Sequence, residues 1–184
     1  MSRAKWLLLC LAPQFALVAG VVVREEQLRR SGVEVELEVR AVDPMSLFSG
    51  RYVSTPLAIT RLERDRTSLP EGLERGQPVW VELRRGAAAW DAVAVHGAQP
   101  REAGLVFLRG TWMGNDEVDY GLERFYIPED GRDPSALARG LRGGTAPLEV
   151  RVRIGSDGRG TITDLLVLGK PYSRWNADEK AAGR

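Results

Sequence analysis

The sequence predicts a mainly β protein, an antiparallel sandwich or small barrel with one N-terminal transmembrane helix and one short helix. Three observations predict it. Apolar residues recur at every second position from Val33 to Ala41 and again from Leu148 to Ile154, the mark of strands with one face in a core. About eight strand-like runs follow one another at short spacing with Gly-, Pro- and Asp-rich connections, the pattern of all-β sandwiches and barrels. Ahead of them all lies WLLLCLAPQFALVAGVVV, an uncharged run from Trp6 to Val23. No Gly-rich phosphate loop and no alternation of strand with long helix suggests an α/β nucleotide fold.

The chain has 184 residues, room for one globular domain and an appendage. Its boundaries are read as an anchor over 1–30, a β-rich domain over 31–172 and a polar C-terminal tail over 173–184. Lys plus Arg number 26 against 25 Asp plus Glu, and no basic run stands out, which argues against a nucleic-acid partner. The single cysteine, Cys10, excludes an intramolecular disulfide and says nothing about compartment. With one histidine besides, a Cys-plus-His metal site lacks ligands, so neither a metal nor a cofactor is expected.

Taken in order, Trp6 to Val23 is long enough for a slightly short membrane-spanning helix, at about 1.5 Å per residue across roughly 30 Å of hydrocarbon. It reads as a retained signal anchor. The competing reading is a cleaved signal peptide, because Arg3 and Lys5 form a positive n-region and Val18-Ala19-Gly20 offers small residues near a cleavage point. Arg24, Arg29 and Arg30 balance the charges before the helix; the short N-terminal tail favours N-in, C-out. Helix continues to Arg30, and Ser31-Gly32 ends it.

From Val33 to Val42 the period becomes two, with Val33, Val35, Leu37, Val39 and Ala41 on one face and Glu34, Glu36, Glu38 and Arg40 on the other. Asp43-Pro44 opens a turn, Met45 to Phe48 suits a helical turn, and Gly50-Arg51-Tyr52 leads into a strand that Pro56 kinks or confines to an edge. Arg61 to Gly76 is a charged loop. Strands are expected over Val79 to Leu83, Trp90 to Val95 and Leu105 to Trp112, the first two as a hairpin. Asp133-Pro134 is an N-cap followed by an N1 proline, so Ser135 to Leu141 should be the short helix. Pro147 to Ile154 and Thr161 to Leu168 form a second hairpin, and the tail from Ser173 reads as frayed.

The stretch DYGLERFYIPEDG, from Asp119 to Gly131, gathers aromatic, aliphatic and charged residues as nowhere else. As one strand from Tyr120 to Ile127, it would place Tyr120, Leu122, Arg124 and Tyr126 on one face and Gly121, Glu123, Phe125 and Ile127 on the other. Pro128 cannot donate a ladder hydrogen bond and ends it.

The succession of an anchor, DPMSLFSGRY, WVELRRG, LVFLRG, YGLERFYIPEDG and a closing hairpin ending in LGKPY resembles the bacterial GDYXXLXY family over nearly the whole chain. In the naming motif Gly50 and Tyr52 match, while Arg51, Thr55 and Leu57 stand where the family has Asp, Leu and Tyr. In YGLERFYIPE, the family-like positions are Tyr120, Gly121, Glu123, Arg124, Tyr126, Pro128 and Glu129. The resemblance implies a membrane-associated envelope protein and implies no particular reaction.

No catalytic residue is assigned. His96 would have to centre any Ser-His or Cys-His system, and a solvated His at a loop edge is the ordinary reading. Ser46 or Ser49 with Lys170 or Lys180 has no supporting spacing. Asn115, Glu117 and Asp119 mimic the start of a calcium loop, but Tyr120 and Tyr126 fill the glycine and glutamate positions. Asp119 and Glu123 would stand about 13 Å apart along a strand, too far for the roughly 5 to 9.5 Å of a glycosidase pair. Glu123 reads as structural, ion-paired to an arginine of a neighbouring strand. Trp80, Trp90 and Trp112 belong to core or rim, and Trp6 to a membrane interface.

Two expectations for function follow. One is a non-catalytic binding module on the bacterial inner membrane, single-pass, with the globular domain in the periplasm and an integral membrane protein as partner. The other is an envelope hydrolase or transferase whose site combines Glu123 with Tyr52.

Overall fold

A computed structural model describes residues 13–17, 19–20, 32–40, 48–49, 52–54, 56–87, 89–102, 104–122, 124–128, 131–132, 134 and 148–182. The chain divides into two compact units, Met1–Gly32 and Val33–Arg184. In the first, residues 13–17 and 19–20 are helical, and Phe15 and Leu17 are exposed. No helix among the described residues is long and apolar enough to cross a membrane. Most of the expected span from Trp6 to Val23, like the helix expected from Ser135 to Leu141 and the turn from Met45, lies outside the described residues.

The second unit is mainly antiparallel β. Its strands are β1 (Val33–Glu38), β2 (Phe48–Ser49), β3 (Tyr52–Ser54), β4 (Pro78–Arg85), β5 (Trp90–His96), β6 (Val106–Gly114), β7 (Glu117–Asp119), β8 (Arg124–Tyr126), β9 (Leu148–Ile154), β10 (Gly160–Val167) and β11 (Lys170–Pro171). They form three sheets, in the orders β1-β9-β10-β11, β5-β4-β6-β7 and β2-β3-β8. One helix, α1 (Tyr172–Ala182), closes the chain.

Alternation makes the first sheet amphipathic. Val35 and Leu37 of β1 and Leu148, Val150, Val152 and Ile154 of β9 are buried. Between them, the outward residues pair by charge: Glu34 opposes Arg153 and Glu36 opposes Arg151 in the register. Arg153 donates to Glu34 at 2.6 Å and Arg151 to Glu36 at 2.9 Å. The register then sets Glu38 opposite Glu149, a like-charge pair. In β10 the register shifts between Ile162 and Asp164, and beyond it Leu165, Leu166 and Val167 are buried in succession, as on a strand covered on both faces. Both four-stranded sheets contribute to one core in which Val35, Leu37 and Val150 join Val79, Val81 and Leu108. Each such side chain contributes roughly 1.5 to 3 kcal/mol when fully buried.

Three sequence expectations change. Tyr120 to Ile127 is not one strand: β7 ends at Asp119 and β8 begins at Arg124. Gly121 has φ +68 and turns the chain between them, so Tyr120 and Leu122 are buried while Arg124 and Tyr126 are exposed. Just before it, Gly114 to Glu117 makes the tight turn of the β6–β7 hairpin, with positive φ at Gly114, Asn115 and Asp116, residue types that tolerate it. The tail is helical rather than frayed, docked by buried Tyr172 and Trp175 and tied by Lys170 to Asp178 at 2.9 Å. Finally, His96 ends β5 itself, and its Nε2 lies 3.2 Å from Glu82 Oε2.

Candidate functional site

The two stretches singled out in the sequence meet. β3 pairs with β8 antiparallel, with Tyr52 opposite Tyr126, Val53 opposite Phe125 and Ser54 opposite Arg124. Residues directly opposite in such a pair project to the same side of the sheet. On the β8 side the anchors are clear: Phe125 packs edge-on against Tyr172 at 6.1 Å between ring centroids, and Ile127 is buried. Tyr126 points away from them and is 69% exposed.

The turn before β8 is fixed from two directions. Asp119 Oδ1 accepts the Gly121 N–H at 2.8 Å, a local Asx turn. Tyr120 is buried and donates its hydroxyl to the Ile59 carbonyl at 3.0 Å. Burial pushes the Tyr120 phenol far above its ordinary pKa, so it remains a neutral donor. Gly110 makes room for this arrangement. A Cβ there would collide with Val118 and stand 2.8 Å from the Asp119 carbonyl and 3.0 Å from the Tyr120 ring.

Two open clefts flank the turn. The larger, about 570 Å³, is lined by Thr60, Met113, Glu117, Val118, Asp119, Gly121 and Arg124. The smaller, about 360 Å³, shares Asp119 and Gly121 with it and is also lined by Arg109, Thr111 and Arg159. The ionisable groups of the larger cleft are Glu117, Asp119 and Arg124.

A family model described as GDYXXLXY protein matches residues 14–165. The chain belongs to the GDYXXLXY family. Neither the curated proteins nor the solved structures compared with it include a match. Of the family-like positions, Tyr52, Arg124 and Tyr126 lie in adjacent strands, Tyr120 and Gly121 build the turn that feeds them, and Pro128 is exposed after β8 with its carbonyl accepting Gly131 N–H at 2.9 Å. Gly50, Glu123 and Glu129 lie outside the described residues, and with Glu123 goes the expected arginine pairing. Ser46 also lies outside them, while Lys170, one of the two lysines considered beside a serine and not favoured by spacing, donates to Asp178. Among the described residues no three His, Cys, Asp or Glu side chains converge as metal ligands.

Sequence reasoning missed Arg109 and Arg159, which share a cleft although 50 positions apart. The signal was faint. LVFLRG alternates so that Arg109 must fall on the outer face of β6, opposite Trp80 in β4, but only the register reveals that neighbour.

Proposed function

We propose that this GDYXXLXY protein is a membrane-anchored envelope module that binds an integral membrane partner through the face shared by β3 and β8, without catalysis. The register between Tyr52 and Tyr126 carries the reading, because it joins two family-like segments, far apart in the chain, on one small sheet. Tyr and Arg supply large, amphipathic contact area and are enriched where protein surfaces bind. Exposed Tyr126 and Arg124 fit that role, held on a strand whose Phe125 is packed. The uncharged run from Trp6 to Val23, with Phe15 and Leu17 exposed on a helical stretch, supports a single-pass anchor. The two four-stranded sheets then act as the layers of a sandwich in the periplasm, beside the inner membrane.

The test is a photoreactive amino acid in place of Tyr126, irradiated in intact cells. A discrete adduct with a membrane protein is expected at 126 and none at the exposed loop position Glu71; no adduct, or the same adducts at both, overturns the proposal. Carbonate washing should leave the full-length chain in the membrane, whereas a soluble mature chain starting near Val21 would refute the anchor.

The same register also favours a second reading, in which Glu123 and Tyr52 form a hydrolase or transferase site, since position 123 immediately precedes the strand that pairs with Tyr52. Turnover lost in Glu123→Gln, with binding at Tyr126 retained, would select it.

A further inference from the structure

We propose that the smaller cleft is a binding site for a small, singly charged oxyanion, a carboxylate or phosphodiester group, gripped by Arg109 and Arg159. This site goes beyond the β3–β8 face, since neither arginine belongs to those strands.

Arg109 is built into place. It lies opposite Trp80 in the β4–β6 register, and its guanidinium carbon stands 5.5 Å from the centre of the Trp80 ring. A guanidinium stacked on an aromatic face keeps its edge donors free for a planar oxyanion. Trp80 is itself held, donating its indole N–H to the Asp157 carbonyl at 3.3 Å. Among the described residues no carboxylate forms an ion pair with Arg109 within 4.0 Å, and its half-buried guanidinium faces the Trp80 ring.

The turn that brings in Arg159 is docked on the same strands. Arg109 N–H donates to the Gly158 carbonyl at 2.7 Å. Gly158 has φ +81, and a Cβ there would stand 2.9 Å from Phe107 and 3.0 Å from Trp80, so only glycine lets the turn lie this close. Arg159 follows directly. Its carboxylate partner, Asp157, is 3.7 Å away, beyond hydrogen-bond length, which leaves the guanidinium donors available.

The cleft also limits its ligand. Asp119 lines it together with the two arginines, with one oxygen occupied by Gly121 N–H. That carboxylate disfavours a dianion and gives a cationic group on the ligand somewhere to go, so a singly charged oxyanion with an ammonium group is the best fit. Thr111 adds a hydroxyl donor, and about 360 Å³ suits a small molecule or headgroup.

The test uses the full chain in uncharged detergent, labelled with nitrogen-15 at tryptophan, and follows the Trp80 indole resonance by NMR. Glycerophosphoethanolamine and γ-aminobutyrate are titrated at constant chloride. The same resonance is compared in nanodiscs of phosphatidylcholine with and without phosphatidylethanolamine. A saturable shift with either soluble probe is expected, weakened at least tenfold in both Arg109→Gln and Arg159→Gln, and a shift confined to phosphatidylethanolamine discs would assign the anion to a lipid. No saturable shift in any arm overturns the proposal, as does an unchanged midpoint in Arg159→Gln. That variant alters an exposed side chain, so it decides the matter even if Arg109→Gln fails to fold.

Discussion

Replacing Glu149 with Gln should stabilise the protein at neutral pH and should do nothing at acid pH. Burial, then the charge of Glu36, then that of Glu38 raise the Glu149 carboxyl above its ordinary value of 4.5. Glu38 lies directly opposite it, where Cβ atoms are about 4.5 to 5.5 Å apart, and Glu36 lies on the diagonal at roughly 7 to 8 Å. Two charges about 6 Å apart repel by about 0.7 kcal/mol at a dielectric of about 80 and about 1.4 kcal/mol at about 40. Solvent and salt screen a half-exposed pair, leaving roughly 0.5 to 1 kcal/mol. For a chain of this length that is a melting midpoint higher by about 1 to 3 °C. A carboxyl whose folded pKa is raised costs stability while ionised. The cost is therefore full above the raised folded pKa, shrinks as pH falls through it, and is gone below the unfolded value. Thermal melts of both chains, followed by circular dichroism in the same detergent from neutral pH to below 4.5, check this. A midpoint unchanged or lowered at neutral pH would refute it, since it would mean that Arg151, held by Glu34 and Glu36, serves Glu149 as well. A gap that persists at acid pH would refute it too.

Other substitutions test the turn and the hairpins through the same melts. Tyr120→Phe removes the bond to the Ile59 carbonyl and should cost about 1 to 2 kcal/mol, a midpoint lower by roughly 2 to 6 °C; no change would mean that water replaces the hydroxyl. Gly110→Ala drives a methyl against Val118, Tyr120 and the Asp119 carbonyl and should cost roughly 2 kcal/mol or more, so a neutral result would show that β7 yields. Leu168→Gly should raise the midpoint by about 1 to 3 °C, because Leu168 holds φ +53 while 59% exposed, and a left-handed conformation costs an L-residue roughly 1 to 2 kcal/mol, partly offset by the chain entropy of glycine. A fall would show that the leucine packs against something.

Local periodicity made some of this fold legible. β1 and β9 could be read residue by residue because each has one face in the core and one in water, and the β4–β5 and β9–β10 hairpins followed from their turn residues. The break at Gly121 was not legible, since Tyr-Gly-Leu alternates acceptably as a strand and only its positive φ shows the turn. Helix α1 was hidden because Tyr172 and Trp175 are its buried residues, too few to make an apolar stripe. The candidate site was half legible: composition marked YGLERFYIPE, but its pairing with Tyr52 depends on a contact between distant segments that no local pattern encodes. The Arg109–Arg159 cleft was hidden for the same reason.

Disulfide trapping between β3 and β8 tests most directly whether the two family-like segments form one face. Opposed residues of an antiparallel pair have Cα atoms about 4.5 to 5.5 Å apart, within disulfide reach. In a Cys10→Ser background, the Tyr52→Cys/Tyr126→Cys double variant should cross-link within the monomer on mild oxidation, and Tyr52→Cys/Phe125→Cys, one position out of register, should not. No cross-link in the first pair, or equal rates in both, would contradict the shared face.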